Sequence, residues 1–126
     1  MIGLTRAVRV FAYGGSVDLR KGFNGLSALV EQEMKHKLLD GDVYLFLGRK
    51  PRRAKVLYFD GTGLCLLAKR LERGNFARPW ERSVSGVVAL TLSELALFLE
   101  GSDLVGRKSL APPTFSEKEL AVKIPI

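Results

Sequence analysis

Residues 43–71 read V-Y-L-F-L-G-R-K-P-R-R-A-K-V-L-Y-F-D-G-T-G-L-C-L-L-A-K-R-L, and the fold is decided there. Three apolar runs, 43–48, 54–60 and 63–71, are rich in the β-branched and aromatic residues that suit a pleated surface. They are separated by a five-residue loop, 49–53, which holds Pro51, and by Asp60-Gly61-Thr62-Gly63. The first loop has a usual hairpin length. The second is a strong hairpin signal, because glycine accepts the positive φ that tight turns demand. The expected result is an antiparallel β-meander. Leu45, Phe46, Leu47, Leu57, Tyr58, Phe59, Leu64, Leu66 and Leu67 do not alternate with polar residues. Both sheet faces are therefore expected to be covered, one by a helix and the other by a second layer or a partner subunit.

Upstream, A-V-R-V-F-A-Y over 7–13 reads as a first strand that ends at Gly14-Gly15. Ser16 is then a candidate N-cap, with Asp18 in the first helical turn, where negative charge suits the helix dipole. Leu19, Phe23, Leu26, Val30 and Met34 fall on one helical stripe, with Glu31–Lys35 and Glu33–Lys37 as acid-before-base pairs outside it. Leu39-Asp40-Gly41-Asp42 is the expected stop. Downstream, 74–82 reads as an irregular loop and 84–89 as a further strand. Thr91 and Glu94 then form a capping box, with Leu90 placed to staple Leu95, and this second helix runs to about Glu100 before Gly101. The expected fold class is α+β, a meander of four to five strands packed with two α-helices, in a single domain over 1–106. Residues 107–126, with Pro112-Pro113, are expected to be an extended or partly disordered tail.

Charge is distributed unevenly over the 126 residues. Between residues 43 and 82 stand Arg49, Lys50, Arg52, Arg53, Lys55, Lys69, Arg70, Arg73, Arg78 and Arg82, against Asp60, Glu72 and Glu81. Ten cations against three acids give +7, the formal net charge of the whole chain. Local basicity of this kind is the usual footprint of a polyanion. The meander sharpens it, because the loop 49–53 and the end of the third strand return to the same edge. Opposite turns of such strands lie roughly 20 Å apart, so Lys69, Arg70 and Arg73 join Arg49, Lys50, Arg52 and Arg53. Phe76 and Trp80 follow, and aromatics beside arginines can stack on unpaired bases. Any one of these cations alone would be an ordinary solvated turn residue; their convergence points to nucleic acid. Arg20 and Lys21 form a second cationic pair at the expected start of the first helix, an end that disfavours cations. Either Asp18 compensates them or an anion binds there.

Groups for catalysis are scarce. One cysteine (Cys65) and one histidine (His36) assemble neither a disulfide nor a metal site, and no cofactor is expected. Cys65 reads as a small buried hydrophobe and His36 as a surface residue. Asp18, Asp40, Asp42, Asp60 and Glu72 could be drawn together as a metal-dependent nuclease site. Turn chemistry and charge neutralisation account for them more simply. No phosphate-cradling glycine motif is present, no apolar run reaches the ~20 residues of a membrane span, and the start has no secretory h-region. A cytoplasmic location is therefore expected, without a membrane partner.

Three ordered motifs carry a resemblance: D-L-R-K-G-F-N-G-L over 18–26, V-Y-L-F-L-G-R-K-P-R-R-A-K-V-L-Y-F-D-G-T-G over 43–63, and K-R-L-E-R-G-N-F over 69–76. Together, over about Arg9 to Gly101, the chain resembles the TnpB accessory proteins of the insertion-sequence-sixty-six family of bacterial transposable elements. The basic turn departs from that pattern: the family's often reads like N-R-R-R-D, whereas G-R-K-P-R-R stands here with Pro51 stiffening it. The resemblance implies a role in transposition beside a separate, larger transposase that carries the catalytic acids. The expected function is a non-catalytic accessory protein that binds transposon-end DNA through its basic edge. An apolar surface would meet the element-encoded transposase or another copy of the same chain. The alternatives are a module that docks the transposase without intrinsic DNA affinity and, less favoured, a metal-dependent nuclease.

Overall fold

A computed structural model describes residues 8–79 and 86–101. Trp80, Arg82, the first two residues of the expected strand over 84–89, and the expected tail from Arg107 lie outside them. The described residues hold one sheet of five strands: β1 (Val10–Val17), β2 (Val43–Gly48), β3 (Arg53–Phe59), β4 (Leu64–Arg70) and β5 (Val87–Leu90). The order across the sheet is β4-β3-β2-β1-β5. The meander β2–β3–β4 is antiparallel as its turns dictate, with Val56 facing Leu45 on one side and Leu67 on the other.

β1 corrects the antiparallel expectation. It pairs antiparallel with β5 but parallel with β2, Val10 beside Val43 and Ala12 beside Leu45, so the sheet is mixed. A long crossover over 18–42 joins the two strands, as parallel neighbours require. Nor does Gly14-Gly15 end the strand. β1 runs on to Val17 through a slip in register between Ala12 and Ser16, and the glycines make a bulge instead of a turn. Gly14 donates its N–H to the Gly86 carbonyl at 2.7 Å, an approach that leaves no room for a side chain.

Ser16 is thus a strand residue and caps nothing. The first helix, α1, begins only at Phe23 (Phe23–Ala28) and continues as a wider π-type turn over Leu29–Glu33. It ends before Lys35, whose φ is +63°. The expected Glu31–Lys35 and Glu33–Lys37 pairs therefore do not share a helix face, and Glu33 instead accepts a hydrogen bond from the Tyr13 hydroxyl at 2.6 Å. A short 3-10 turn, Leu38–Asp40, leads into β2. Of the predicted stripe, Leu26, Val30 and Met34 are buried, whereas Phe23 stands about half exposed. Leu19 packs on the same core from the turn before the helix.

β2 shows why the apolar runs do not alternate. Tyr44 and Phe46 pack under α1 with Leu26, Val30 and Leu57. Leu45 and Leu47 pack on the opposite face with Ala54, Val56 and the second helix, α2 (Leu92–Leu99). The second layer is supplied by the chain itself. α2 starts in the predicted capping box: the Thr91 hydroxyl accepts from the Glu94 N–H, and the Glu94 carboxylate accepts from the Thr91 N–H. Leu90 and Leu95 are buried in one cluster, and the Phe98 ring stacks on Phe76 at 4.7 Å between centroids.

A Cβ on residue 14 would lie 2.7 Å from both the carbonyl carbon and oxygen of Gly86, both backbone atoms, whereas one on residue 22 would meet nothing. Gly14→Ala is expected to destabilise the protein by about 1–3 kcal/mol, with Gly22→Ala close to neutral. Urea unfolding of the two variants checks this.

Candidate nucleic-acid interface

The parallel pairing of β1 and β2 brings Val17 beside Gly48, so both strands finish at the same end of the sheet. The turn after β1 therefore faces the β2–β3 loop across a cleft of about 1090 Å³. Arg20, Arg49, Lys50, Arg52, Arg53 and Arg70 line it, with Asp18 and Glu72 as its acids. Leu19 lies at its base against Gly48, where a Cβ would come within 3.2 Å of the leucine.

Backbone bonds fix the loop. The Leu71 N–H donates to the Arg52 carbonyl at 2.8 Å, and the Phe76 N–H donates to that of Pro51. The Arg52 guanidinium donates to the Glu72 carbonyl at 2.8 Å. The β2–β3 loop is thus bonded to the segment that follows β4, which holds their cations at one edge. Arg53 and Arg70 are register partners on β3 and β4, both exposed. Like charges directly opposite one another on a sheet are destabilising. The Glu72 carboxylate, 3.4 Å from Arg70 Nε, offsets them locally.

Arg20 and Lys21 precede α1 and do not sit in its first turn, which removes the conflict with the helix dipole. Asp18 holds Arg20 through Nε at 3.0 Å and Nη2 at 2.8 Å, and also accepts the Arg20 backbone N–H. These hydrogen bonds hold the Asp18 carboxyl well below the ordinary carboxylate range and push the Arg20 guanidinium up. Nothing local in the sequence joined Arg20 to the loop 49–53; only the parallel strand does.

Other expected site residues fall elsewhere. Lys55 Nζ donates to the Lys21 carbonyl at 3.0 Å, and Lys69 Nζ donates to the Leu99 carbonyl at the end of α2. Both serve the scaffold. Lys21, Arg73 and Arg78 are exposed but do not line the cleft. Phe76 is buried against Phe98 and offers no stacking platform, a correction whose cause is the backbone bond that draws it under the loop. Trp80 and Arg82 lie outside the described residues.

Asp40, Asp42 and Asp60 do not line the cleft. Asp42 is buried and accepts from the backbone N–H and guanidinium of Arg9 at 3.1 and 2.8 Å, and Asp40 lies in the 3-10 turn. Asp60 accepts from Thr62 and Gly63 in its turn. Among the described residues no three His, Cys, Asp or Glu side chains stand together as a metal site. His36 is not a surface residue: its half-buried ring packs edge-on against Phe11 and Tyr44, a place it reaches because the helix ends early. Cys65 is half-buried on β4, its Sγ 3.5 Å from Asp60 Oδ2. No described helix is long and apolar enough to cross a membrane.

Residues 8–109 match the family model described as IS66 Orf2 like protein. The chain is 38% identical over 96 residues to the "Uncharacterized protein y4hO" of Sinorhizobium fredii, covering 76% of this chain and 82% of that one. It is 34% identical over 116 residues to the "Uncharacterized protein y4jC" of the same organism, covering 90% and 97%. No solved structure matches.

Backbone hydrogen bonds from Thr62 and Gly63 hold the Asp60 carboxyl down to about 2. An unfolded aspartate titrates near ~4, so the folded state favours the charged form. The stability Asp60 contributes is complete above about pH 4 and is lost as pH falls toward about 2. Asp60→Asn, which does not titrate, is expected to flatten the acid limb of the melting temperature over that window. An unchanged limb would assign it to other carboxylates.

Proposed function

Because the chain belongs to the IS66 Orf2-like family, the accessory proteins of insertion-sequence transposition, we propose that it binds the element's DNA through the cleft between the β1–α1 turn and the β2–β3 loop, without itself carrying out strand chemistry. The observation that carries this reading is the exposed register pair Arg53–Arg70, set among four further cations. Its mutual repulsion costs the free protein stability. A phosphate between the two guanidiniums would relieve that repulsion through charge-assisted, bidentate hydrogen bonds. The rigid loop adds to the affinity, since cations already held in place lose less freedom on binding. Contacts of this kind position a backbone and carry no sequence information directly. Sequence choice would then come from the transposase or from the shape of the DNA.

The test is a salt titration of binding to element-end DNA. Each phosphate neutralised adds about −0.9 to the slope of log affinity against log salt on duplex DNA. Arg49→Ala, Lys50→Ala and Arg53→Ala together are expected to reduce the slope by roughly three while leaving the thermal transition nearly unchanged, because none of them makes the loop-closing bonds. An unchanged slope would remove the cleft from the DNA site. Loss of transposase capture in the same variant, in nuclease-treated samples, would assign the cleft to protein docking instead.

A further inference from the structure

β4 stands apart from the other strands. It ends the described sheet and is lightly covered: Leu66 packs against the cluster under α1, but none of its seven residues is fully buried, and Leu64 and Leu67 are among the exposed large hydrophobics. The opposite edge, β5, has four residues, while β4 offers a full-length apolar edge. Long, flat apolar edges pair with other strands unless charge or a bulge prevents it. Here the cations are confined to Lys69 and Arg70 at one end, and Lys69 is occupied by the Leu99 carbonyl.

We infer that β4 is a self-association edge, and that two copies of this chain pair through antiparallel β4 strands centred on Leu67.

The register follows from the bonds to β3. The Leu71 N–H donates to the Arg52 carbonyl and the Asp60 N–H to that of Gly63, so the 52–71 and 60–63 positions are hydrogen-bonded pairs. Antiparallel pairs alternate, and with Ala54 beside Lys69, Val56 beside Leu67 and Tyr58 beside Cys65, the N–H and C=O of those three β4 residues point inward to β3. Leu64, Leu66, Ala68 and Arg70 then direct theirs outward. A two-fold axis at Leu67 sets Leu66 opposite Ala68 of the second copy, and Leu64 opposite its Arg70. Every outward group finds a partner, and Leu67 meets Leu67 as a close, non-hydrogen-bonded pair.

Charge selects the same arrangement. Each β4 carries cations at one end, while the Asp60 carboxylate lies beside Cys65 at the other. Antiparallel pairing places Lys69 of one copy across from Cys65 and Asp60 of the other. Parallel pairing would set the cations of both copies side by side, which is unfavourable. A seven-residue strand pairing is small for a specific interface, so the dimer forms and dissociates with concentration.

The test is oxidative crosslinking of the full chain without DNA, in a Cys65→Ser background. Leu67→Cys is expected to give a disulfide-linked dimer, since close pairs of this kind meet disulfide geometry. Leu64→Cys, about 20 Å from its own symmetry mate, is expected to remain monomeric. Leu67→Lys, which sets like charges face to face on an exposed position, is expected to weaken self-association by roughly tenfold or more in sedimentation equilibrium, with an unchanged thermal transition when dilute. Equal crosslinking at 64 and 67, or a monomer at every concentration with Leu67 in place, would overturn the inference. The result is independent of the DNA reading, which is tested by the salt slope alone.

Discussion

The structure depends on one buried carboxylate. Asp42 is 1% exposed and accepts from both the backbone N–H and the guanidinium of Arg9, while the Arg9 carbonyl accepts the Val43 N–H. A buried charge stripped of its partner costs several kcal/mol, so this pair holds the starts of β1 and β2 side by side. Parallel strands that begin together end together. From that follows the meeting of Val17 with Gly48, and with it the cleft between the turn after β1 and the loop after β2.

How much of this was legible in the sequence depended on how local the signal was. β2 was read to the residue, and β3 and β4 within one residue, because apolar runs bounded by Pro51 and Gly61 are local facts. The capping box at Thr91 was equally local and equally sound. The first third of the chain misled for a physical reason. Gly14-Gly15 carries the same turn signal whether it ends a strand or bulges within one, and only the close approach of Gly86 decides between them. The helical stripe was real at Leu26, Val30 and Met34, but Leu19 reaches the same core from outside the helix, so its spacing matched by coincidence. Parallel pairing across residues 18–42 leaves no periodic trace at all.

The candidate site was half legible for similar reasons. Charge counting pointed to the edge where Arg49, Lys50, Arg52 and Arg53 stand, and hairpin topology put Arg70 beside Arg53. Counting does not tell a cation aimed at solvent from one bound to a carbonyl, and Lys55 and Lys69 proved to be bonded to Lys21 and Leu99. Nor does it tell an aromatic that stacks on a base from one that stacks on Phe98. Arg20 was visible only as an oddity near a helix start. Its true neighbours are set by the strand pairing that Asp42 secures.

The cleft and the open edge share one strand, and their separation matters. Arg70 closes β4 at the cationic end, whereas the bare stretch Leu64–Leu67 lies toward the Asp60 turn. In a dimer paired about Leu67, the two Arg70 residues are separated by about 20 Å along the strands, more than twice the ~8 Å over which charges act at physiological salt. Each cleft therefore keeps its own electrostatics, and the cost of bringing two basic proteins together is screened. The two-fold axis runs perpendicular to the sheet, so the two clefts lie toward opposite ends of the paired strands. A polyanion long enough to cross the paired strands would engage both. The second contact would be intramolecular, and its effective concentration would be set by the rigid sheet. Two weak sites joined in this way would bind one polyanion more tightly than either alone.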